Sequence, residues 1–362
     1  MARSPGPRHA FDKARMAGQM SPHSNSTTMY HAYAAHETGG ELKPFEYDPG
    51  PIGDDEIEIK IQHCGICHSD LSMLENHWDV SEFPMVPGHE VVGTVSALGR
   101  NVNRLTEGQR VGVGWFCKSC MTCPTCMAGD HNLCAERQGI FGTEGRFGGF
   151  ADRVRIDQGW ATVLPEGIDI ASAGPMFCGG ITVFNPLVQN RVRPTDRVAV
   201  VGIGGLGHLA LQFLDKWGCD VTAFTSSPDK EADLRQLGAD HVVNSRDPDA
   251  ITALAGTFDM VLVTVNVELE WAAYIEALAM RGTLHFVGVA PPVTTEVFPL
   301  LLGQKSISST PLGSPATIKT MMDFAARHNI APRVEHFPLT EVNEAIEKLR
   351  SGKPRYRLVL DM

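Results

Sequence analysis

The chain is short of positive charge: 31 lysine and arginine residues stand against 42 aspartate and glutamate residues, a formal net charge of −11. Nucleic acid and anionic membranes both require a basic footprint on the protein, so neither is an expected partner. Long apolar runs are also missing. The most hydrophobic stretch, VAVVGIGGLGHLALQFL from Val198, is broken by four glycines, a histidine and a glutamine. Its β-branched opening reads as strand-turn-helix and not as a membrane span. Residues 1–28 are weakly basic, rich in Pro, Ser and Gly, and contain no apolar stretch of signal-peptide length. They are expected to be a disordered extension, with a transit peptide as the alternative. Met16, Met20 and Met29 offer other possible starts. No internal repeat is visible.

What is present fits a compact globular protein of two domains. The 362 residues exceed a usual single core, and 43% hydrophobic with 20% charged residues is an ordinary folded composition. Nine cysteines would suit a disulfide framework, but five of them fall within Cys117–Cys134 at short clustered spacings. Such clusters favour thiolate coordination of a metal, hence a reduced, cytoplasmic protein.

Tyr30 to about Val163 shows short alternating runs such as EIEIKIQ and VVGTVSAL between glycine-bearing turns, the pattern of a barrel-like β unit. From about Gly179 to Ser314 strands alternate with helices, which predicts a doubly wound parallel sheet of the α/β class. The tail, with a helix over 341–350 and the strand RLVLD, is expected to rejoin the first unit. The expected division is therefore 1–28, 29–179, 180–314 and 315–362.

CKSCMTCPTCMAGDHNLC offers two quartets. Cys117, Cys120, Cys123 and Cys126 approach the ferredoxin spacing, but that run needs three residues before its last cysteine and a proline after it. Cys120, Cys123, Cys126 and Cys134 have gaps of two, two and seven, which suit a closed all-thiolate structural zinc. An iron-sulfur cluster or no metal at all are the lesser readings.

A catalytic zinc needs three protein ligands and an open position. Cys67 in GICHSD, His89 in VPGHEVVG and Cys178 in MFCGGIT are the candidates. Each alone also reads as a buried cysteine, a satisfied turn histidine or a small residue at a domain junction; their company with the four-cysteine lobe and the next motif favours the metal. In VAVVGIGGLGHLAL, Gly202, Gly204 and Gly207 form G-x-G-x-x-G between a strand and a helix, with Gly205 and Leu206 completing the loop. This is a dinucleotide fingerprint in its proper context, with pyrophosphate expected at the helix N-terminus. An acid at the end of the second strand would bond the ribose of NAD. Here TAFTSSPDK places Thr225, Ser226 and Ser227 there, with Lys230 nearby and Asp229 as a complication, so NADP(H) is expected.

CHSD, GHE, the four-cysteine lobe, CGGIT and GIGGLG occur in this order. Over roughly 29–362 the chain thereby resembles the zinc-dependent medium-chain alcohol dehydrogenases, within them the cinnamyl alcohol dehydrogenase branch and its bacterial broad-range NADPH-dependent aldehyde reductases. The resemblance implies a GroES-like catalytic domain joined to a Rossmann domain, two zinc ions per chain and an active site in the cleft between the domains. It implies that Cys67, and not Cys64, joins His89 and Cys178 at the catalytic zinc. Glu90 is then a carboxylate able to approach the metal, and Asp70 orients His89. Thr182 lies near the nicotinamide, and Arg357 near the cofactor phosphates or Glu90. Two positions depart from the family: Ser72 stands where many relatives carry an outer relay histidine, and Gly139 aligns with a tryptophan of the plant enzymes. Trp78 and Trp115 are candidates for an apolar substrate pocket or for the core.

The expected activity is reversible NADPH-dependent reduction of an aldehyde to a primary alcohol. Ser69 would supply the proton, replenished through cofactor hydroxyls, His68 or water. Small-molecule substrates and a homodimer are expected. The rivals are a zinc-stabilised NADP(H) sensor without turnover and a zinc-free quinone reductase, the second disfavoured by Cys67, His89 and Cys178 together.

Overall fold

The computed structural model describes residues 29–142, 145–352 and 354–362. The expected extension over 1–28 lies outside the described residues. The strands are β1 Tyr30–Ala34, β2 Lys43–Tyr47, β3 Glu56–Ile66, β4 Glu90–Leu98, β5 Arg110–Val113, β6 Phe116–Lys118, β7 Gln138–Gly139, β8 Arg153–Asp157, β9 Thr162–Val163, β10 Arg197–Val201, β11 Asp220–Thr225, β12 His241–Asn244, β13 Phe258–Val263, β14 Leu278–Phe286, β15 Ser306–Ser309, β16 Val334–Pro338 and β17 Arg357–Asp361.

Two large sheets result. The first has the order β16-β17-β3-β4-β5-β9, with β8 also paired to β3. Its pairs are antiparallel except β16 and β17. The second is wholly parallel in the order β12-β11-β10-β13-β14-β15. Counted from β10, that order is the doubly wound one, in which ligands sit beyond the C-terminal strand ends where the winding reverses. RVAVV in β10 is buried after its first residue, as a strand covered on both faces must be.

The chain crosses between the two units twice. Helix Gly179–Gln189 leaves the first sheet and packs on helix Gly207–Trp217 of the parallel domain. The expected boundary at 179 falls on its first residue. Helix Pro315–His328 caps itself with Ser314 and buries Ile318, Met321, Met322 and Ala325 in the same core as Phe184 and Phe213. The expected boundary at 314 falls just before this helix, and the chain re-enters the first sheet at β16. The helix before β14 is short, Trp271–Ala277, because Leu278 already begins β14 beside β13.

The first sheet carries a buried polar hub at Glu58 of β3. It accepts hydrogen bonds from the Tyr30 hydroxyl, from Ser96 Oγ at 2.9 Å and from Arg153 Nη1 at 2.8 Å, while Arg155 Nη2 lies 3.4 Å away. Burial alone would raise this acid, but Tyr30, Ser96 and Arg153 outweigh it and hold the carboxyl below its ordinary range. Removing one partner of a buried ion pair costs about 3–5 kcal/mol, so Glu58→Ala should lower unfolding stability by roughly that amount near pH 7. A depressed acid contributes stability above its unfolded value, here 4.5, and loses it as pH falls through the folded value. Urea titrations of both proteins are expected to show a gap that narrows below that pH.

Candidate active site

Three loops meet at one point. Cys67 follows β3 and is the N-cap of helix His68–Leu74; His89 directly precedes β4; Cys178 precedes helix Gly179–Gln189. All three are buried. The sulfurs of Cys67 and Cys178 lie 3.9 Å apart. A tetrahedral zinc with Zn–S of about 2.3 Å would hold two sulfurs about 3.8 Å apart. His89 Nε2 is buried and has no hydrogen-bond partner among the described residues. Together with a carboxylate oxygen of Glu90, the three ligand atoms lie within 4.8 Å of one another. Two thiols and an orphaned ring nitrogen fit the three protein ligands of a zinc with one open position, and the Glu90 carboxylate lies beside them.

Asp70 organises this set. It sits in the first turn of helix His68–Leu74, fully buried. Its Oδ2 accepts the Cys67 N–H at 2.8 Å, and its Oδ1 accepts the Gly88 N–H at 3.0 Å and lies 2.9 Å from His89 Nδ1. A ring that donates from Nδ1 must present a bare Nε2 when neutral, so Asp70 aims the lone pair where the sulfurs converge. Burial would lower the basicity of His89, yet the Asp70 carboxylate and then Cys67 raise it well above the ordinary value. Cys67 is held well below the ordinary thiol range, first by the Cys178 thiol and further by Arg357 and His89. Its thiolate and burial push Cys178 the other way.

Glu90 carries a second link. Its Oε1 accepts from Arg357 Nη2 of β17, while Oε2 is buried without a partner. Burial raises this acid to about 7, with Arg357 opposing. Gly65 makes room for it: a Cβ there would lie 1.9 Å from Glu90 Oε2. Sequence reasoning missed this glycine, since the contact crosses from β3 to β4. Cys64 is a buried thiol outside the cluster, turned toward Gly65 O at 3.6 Å.

Around the cluster, Ser69 Oγ is 3.8 Å from Cys67 Sγ and half-buried, His68 is exposed, and Ser72 is buried. Trp115 packs its ring 4.8 Å from that of His89, Phe141 stacks at 5.9 Å, and Trp78 stands 5.9 Å beyond Trp115. These rings make an apolar wall at the site, a role that sequence left open for the two tryptophans and did not foresee for Phe141.

The cysteine lobe separates the two quartets. Cys120 and Cys126 are 3.9 Å apart, Cys123 and Cys134 3.9 Å, and Cys134 and Cys120 3.5 Å, close to the same tetrahedral spacing. The N–H groups of Cys123, Cys126 and Glu136 point at the sulfurs of Cys120, Cys123 and Cys134 at 3.3–3.4 Å, which stabilises thiolates. Cys117 turns away toward the carbonyl oxygens of Gln138 and Gly139.

At the parallel sheet, Gly202 has φ of +88°, a conformation that favours glycine. A Cβ on Gly207 would lie 2.1 Å from the Gly202 oxygen, whereas one on Gly204 would meet nothing within 4 Å. The turn, the open backbone and the tight strand-helix contact are thus all present. Leu206 is the N-cap of helix Gly207–Trp217, and Arg357 lies against Gly205, where a Cβ would be 3.1 Å from its side chain. Arg357 therefore touches both the phosphate loop and Glu90. Beneath the loop, His208 stacks on Tyr356 at 4.6 Å, and burial lowers it to about 3, a neutral ring. Ser226, Ser227 and Lys230 follow the end of β11, Ser226 and Lys230 exposed. Thr182 is buried one turn into its helix and donates its N–H to Cys178 O at 3.0 Å.

A nucleotide loop facing a buried thiolate-imidazole cluster defines a metal-dependent dehydrogenase. The alcohol dehydrogenase GroES-like domain family matches residues 53–166, and the zinc-binding dehydrogenase family matches 205–327. An aldehyde reductase AdhA of Synechocystis is 56% identical over 92% of this chain and 98% of its own. A probable mannitol dehydrogenase of Fragaria ananassa is 37% identical over 91% and 94%. A cinnamyl alcohol dehydrogenase of Sorghum bicolor superposes with a TM-score of 0.88 at 34% identity, over 92% of this chain and 98% of that one. The cinnamyl alcohol dehydrogenase of Helicobacter pylori, solved with NADP(H), gives 0.85 at 26% identity over the same shares. The chain belongs to the zinc-dependent medium-chain alcohol dehydrogenases, in their cinnamyl alcohol dehydrogenase-like branch.

Support from such outer partners is worth about 10–100-fold in metal affinity. Asp70→Asn should lose zinc to a competing chelator at concentrations lower by that factor, with the four-cysteine lobe keeping its own ion. Unchanged zinc retention would remove Asp70 from this role.

Proposed function

We propose that this protein is a zinc-dependent NADP(H) alcohol dehydrogenase that reduces aldehydes reversibly to primary alcohols. The orphaned Nε2 of His89 beside two sulfurs 3.9 Å apart carries the proposal. Cys67, His89 and Cys178 would hold the catalytic zinc, with Glu90 near enough to exchange for one of its other ligands. Cys120, Cys123, Cys126 and Cys134 would hold the structural one. When bound, zinc supplies a Lewis acid for the carbonyl oxygen and NADPH a hydride donor.

The chain's own groups do the rest. Trp78, Trp115 and Phe141 exclude water from the apolar end of the substrate. Ser69, beside the Cys67 sulfur, donates its hydroxyl proton to the substrate oxygen as the alcohol forms. His68 is exposed and replenishes that proton from solvent. Ser72 is buried and offers no such outlet, so the relay ends one helical turn earlier than in relatives with histidine there. Gly202, Gly204, Gly205, Leu206 and Gly207 cradle the pyrophosphate with Arg357 beside them. Thr182 faces the nicotinamide, and Ser226, Ser227 and Lys230 grip the 2′-phosphate.

Exposed apolar residues favour a homodimer. Val297, Phe298, Leu301 and Leu302 of the helix Val297–Gly303 are 71, 66, 66 and 64% exposed, beside β15, the edge of the parallel sheet. A second copy would cover this patch and the open strand edge. No described helix is long and apolar enough to cross a membrane, and nine cysteines outside any disulfide fit a reducing cytoplasm.

Purified protein should oxidise NADPH with aldehydes and retain two zinc ions per chain. Ser69→Ala is expected to lower kcat by about 10²–10⁴-fold, the usual weight of a positioned proton donor. Full turnover by zinc-free protein would refute the metal's role, and equal efficiency with NADH would refute the phosphate grip. Light scattering should give a dimer mass for the wild type and a monomer mass for Leu301→Glu.

A further inference from the structure

A second group of metal-binding side chains lies away from the cleft, on the first sheet. His63 of β3, Asp361 of β17 and His336 of β16 come from three neighbouring strands. His63 pairs directly with Asp361 across the antiparallel ladder. His336 pairs with Val359, two residues before Asp361, across the parallel one. The two-residue period of strands therefore puts all three side chains on one face. Both Nδ1 atoms lie 2.8 Å from the same oxygen, Asp361 Oδ1. The rings stand 6.0 Å apart at 80°, and the three ligand atoms lie within 4.8 Å of one another.

We propose that His63, His336 and Asp361 form a third metal site, for a divalent transition-metal ion such as Zn²⁺. With metal-nitrogen and metal-oxygen distances of about 2.0–2.2 Å, tetrahedral ligand atoms sit about 3.4 Å apart, so the present spacing needs only a small expansion about the ion. Two imidazoles and one carboxylate suit zinc, nickel, cobalt or copper better than magnesium or calcium. Partial exposure, 20% for His63, 35% for His336 and 44% for Asp361, gives the ion access and leaves its remaining positions to water. Partial burial would raise Asp361, yet His336 and His63 outweigh it and keep the carboxyl below its ordinary range, ready to bind a cation. The proton balance is simple. A neutral ring that now donates from Nδ1 must change tautomer, its one proton leaving Nδ1 and Nε2 taking one up through solvent, before Nδ1 binds metal; a charged ring releases its Nδ1 proton to solvent and keeps the one on Nε2.

The site has a structural consequence. Asp361 is four residues after Arg357 on β17, and His63 four residues before Cys67 at the end of β3. An ion there clamps together the two strands that lead to Arg357 and to Cys67. It also fastens the C-terminal strand, whose last backbone N–H, that of Met362, bonds to Gln62 at 3.1 Å.

The test uses full-length protein with its resident zinc, dialysed against buffered free Zn²⁺ and counted by elemental analysis. Wild type is expected to hold one equivalent more than His336→Ala or Asp361→Asn, and added Zn²⁺ should raise its melting temperature while leaving those of the variants unmoved. Zinc held by other surface histidines is common to all three proteins and cancels in the difference. Should His336→Ala fold poorly, His336→Gln keeps a hydrogen-bond donor for Asp361 while removing the imidazole. Equal zinc content in wild type and variant would overturn the site and leave the trio as a hydrogen-bonded strand clasp. Aldehyde reduction by the variants should be unchanged, which separates failure here from failure of the catalytic reading.

Discussion

The governing constraint is a local excess of buried acid. Cys67, Asp70, Glu90 and Cys178 meet out of contact with water, and the one permanent cation among them is Arg357. Without a metal the cluster can settle only by keeping protons: Cys67 is pushed below and Cys178 above the ordinary thiol range, and burial raises Glu90 to about 7. Isolated buried charges are too costly to persist, so such a set either holds its protons or takes a cation. A divalent ion lets both sulfurs ionise. The same charge that neutralises the protein groups is then available to an oxygen entering the open position.

From this constraint the architecture follows. The ligands come from the turn after β3, the turn before β4 and the turn before helix Gly179–Gln189, so the metal centre can form only when these three separate segments are packed together. Arg357 ties the arrangement on the other side, with its guanidinium on Glu90 and its stem against Gly205 of the phosphate loop. Asp233 adds a further tie across the domains, accepting from Arg333 and, at 2.6 Å, from the Tyr356 hydroxyl. One residue of the last strand thereby touches both the metal's neighbourhood and the cofactor's. Changes in cofactor charge at the loop and changes in metal charge at Glu90 act on the same guanidinium.

How much of this was legible in the sequence depends on range. The glycine loop is written in six consecutive residues, and the turn at Gly202, the open backbone at Gly204 and the close contact at Gly207 are local properties. The four-cysteine lobe is also local; spacing alone favoured Cys134 over Cys117, and the structure places Cys117 among carbonyls instead. Cys67, His89 and Cys178 were individually ambiguous because convergence of three loops is not a local property. Gly65 was illegible for the same reason: nothing near it in sequence hints that Glu90, twenty-five positions on, needs its missing Cβ. The tail was read only coarsely. Helix Pro315–His328 carries an apolar stripe, but which domain it serves depends on packing against Phe184 and Phe213, far earlier in the chain.

Ser72 bears on the proposed route by which the proton is resupplied. A histidine there would put a titratable ring inside the relay; serine in a buried position puts a hydroxyl that neither stores charge nor reaches solvent. His68 is exposed, four positions closer to the start of the same helix, and adjoins Ser69 in the chain. In the proposed relay the helix would present donor and solvent port in consecutive residues at its N-terminal turn, where Asp70 fixes the backbone by accepting the Cys67 N–H. Metal geometry and the proposed proton path would then share one short helix, and a change in its first turn would act on both.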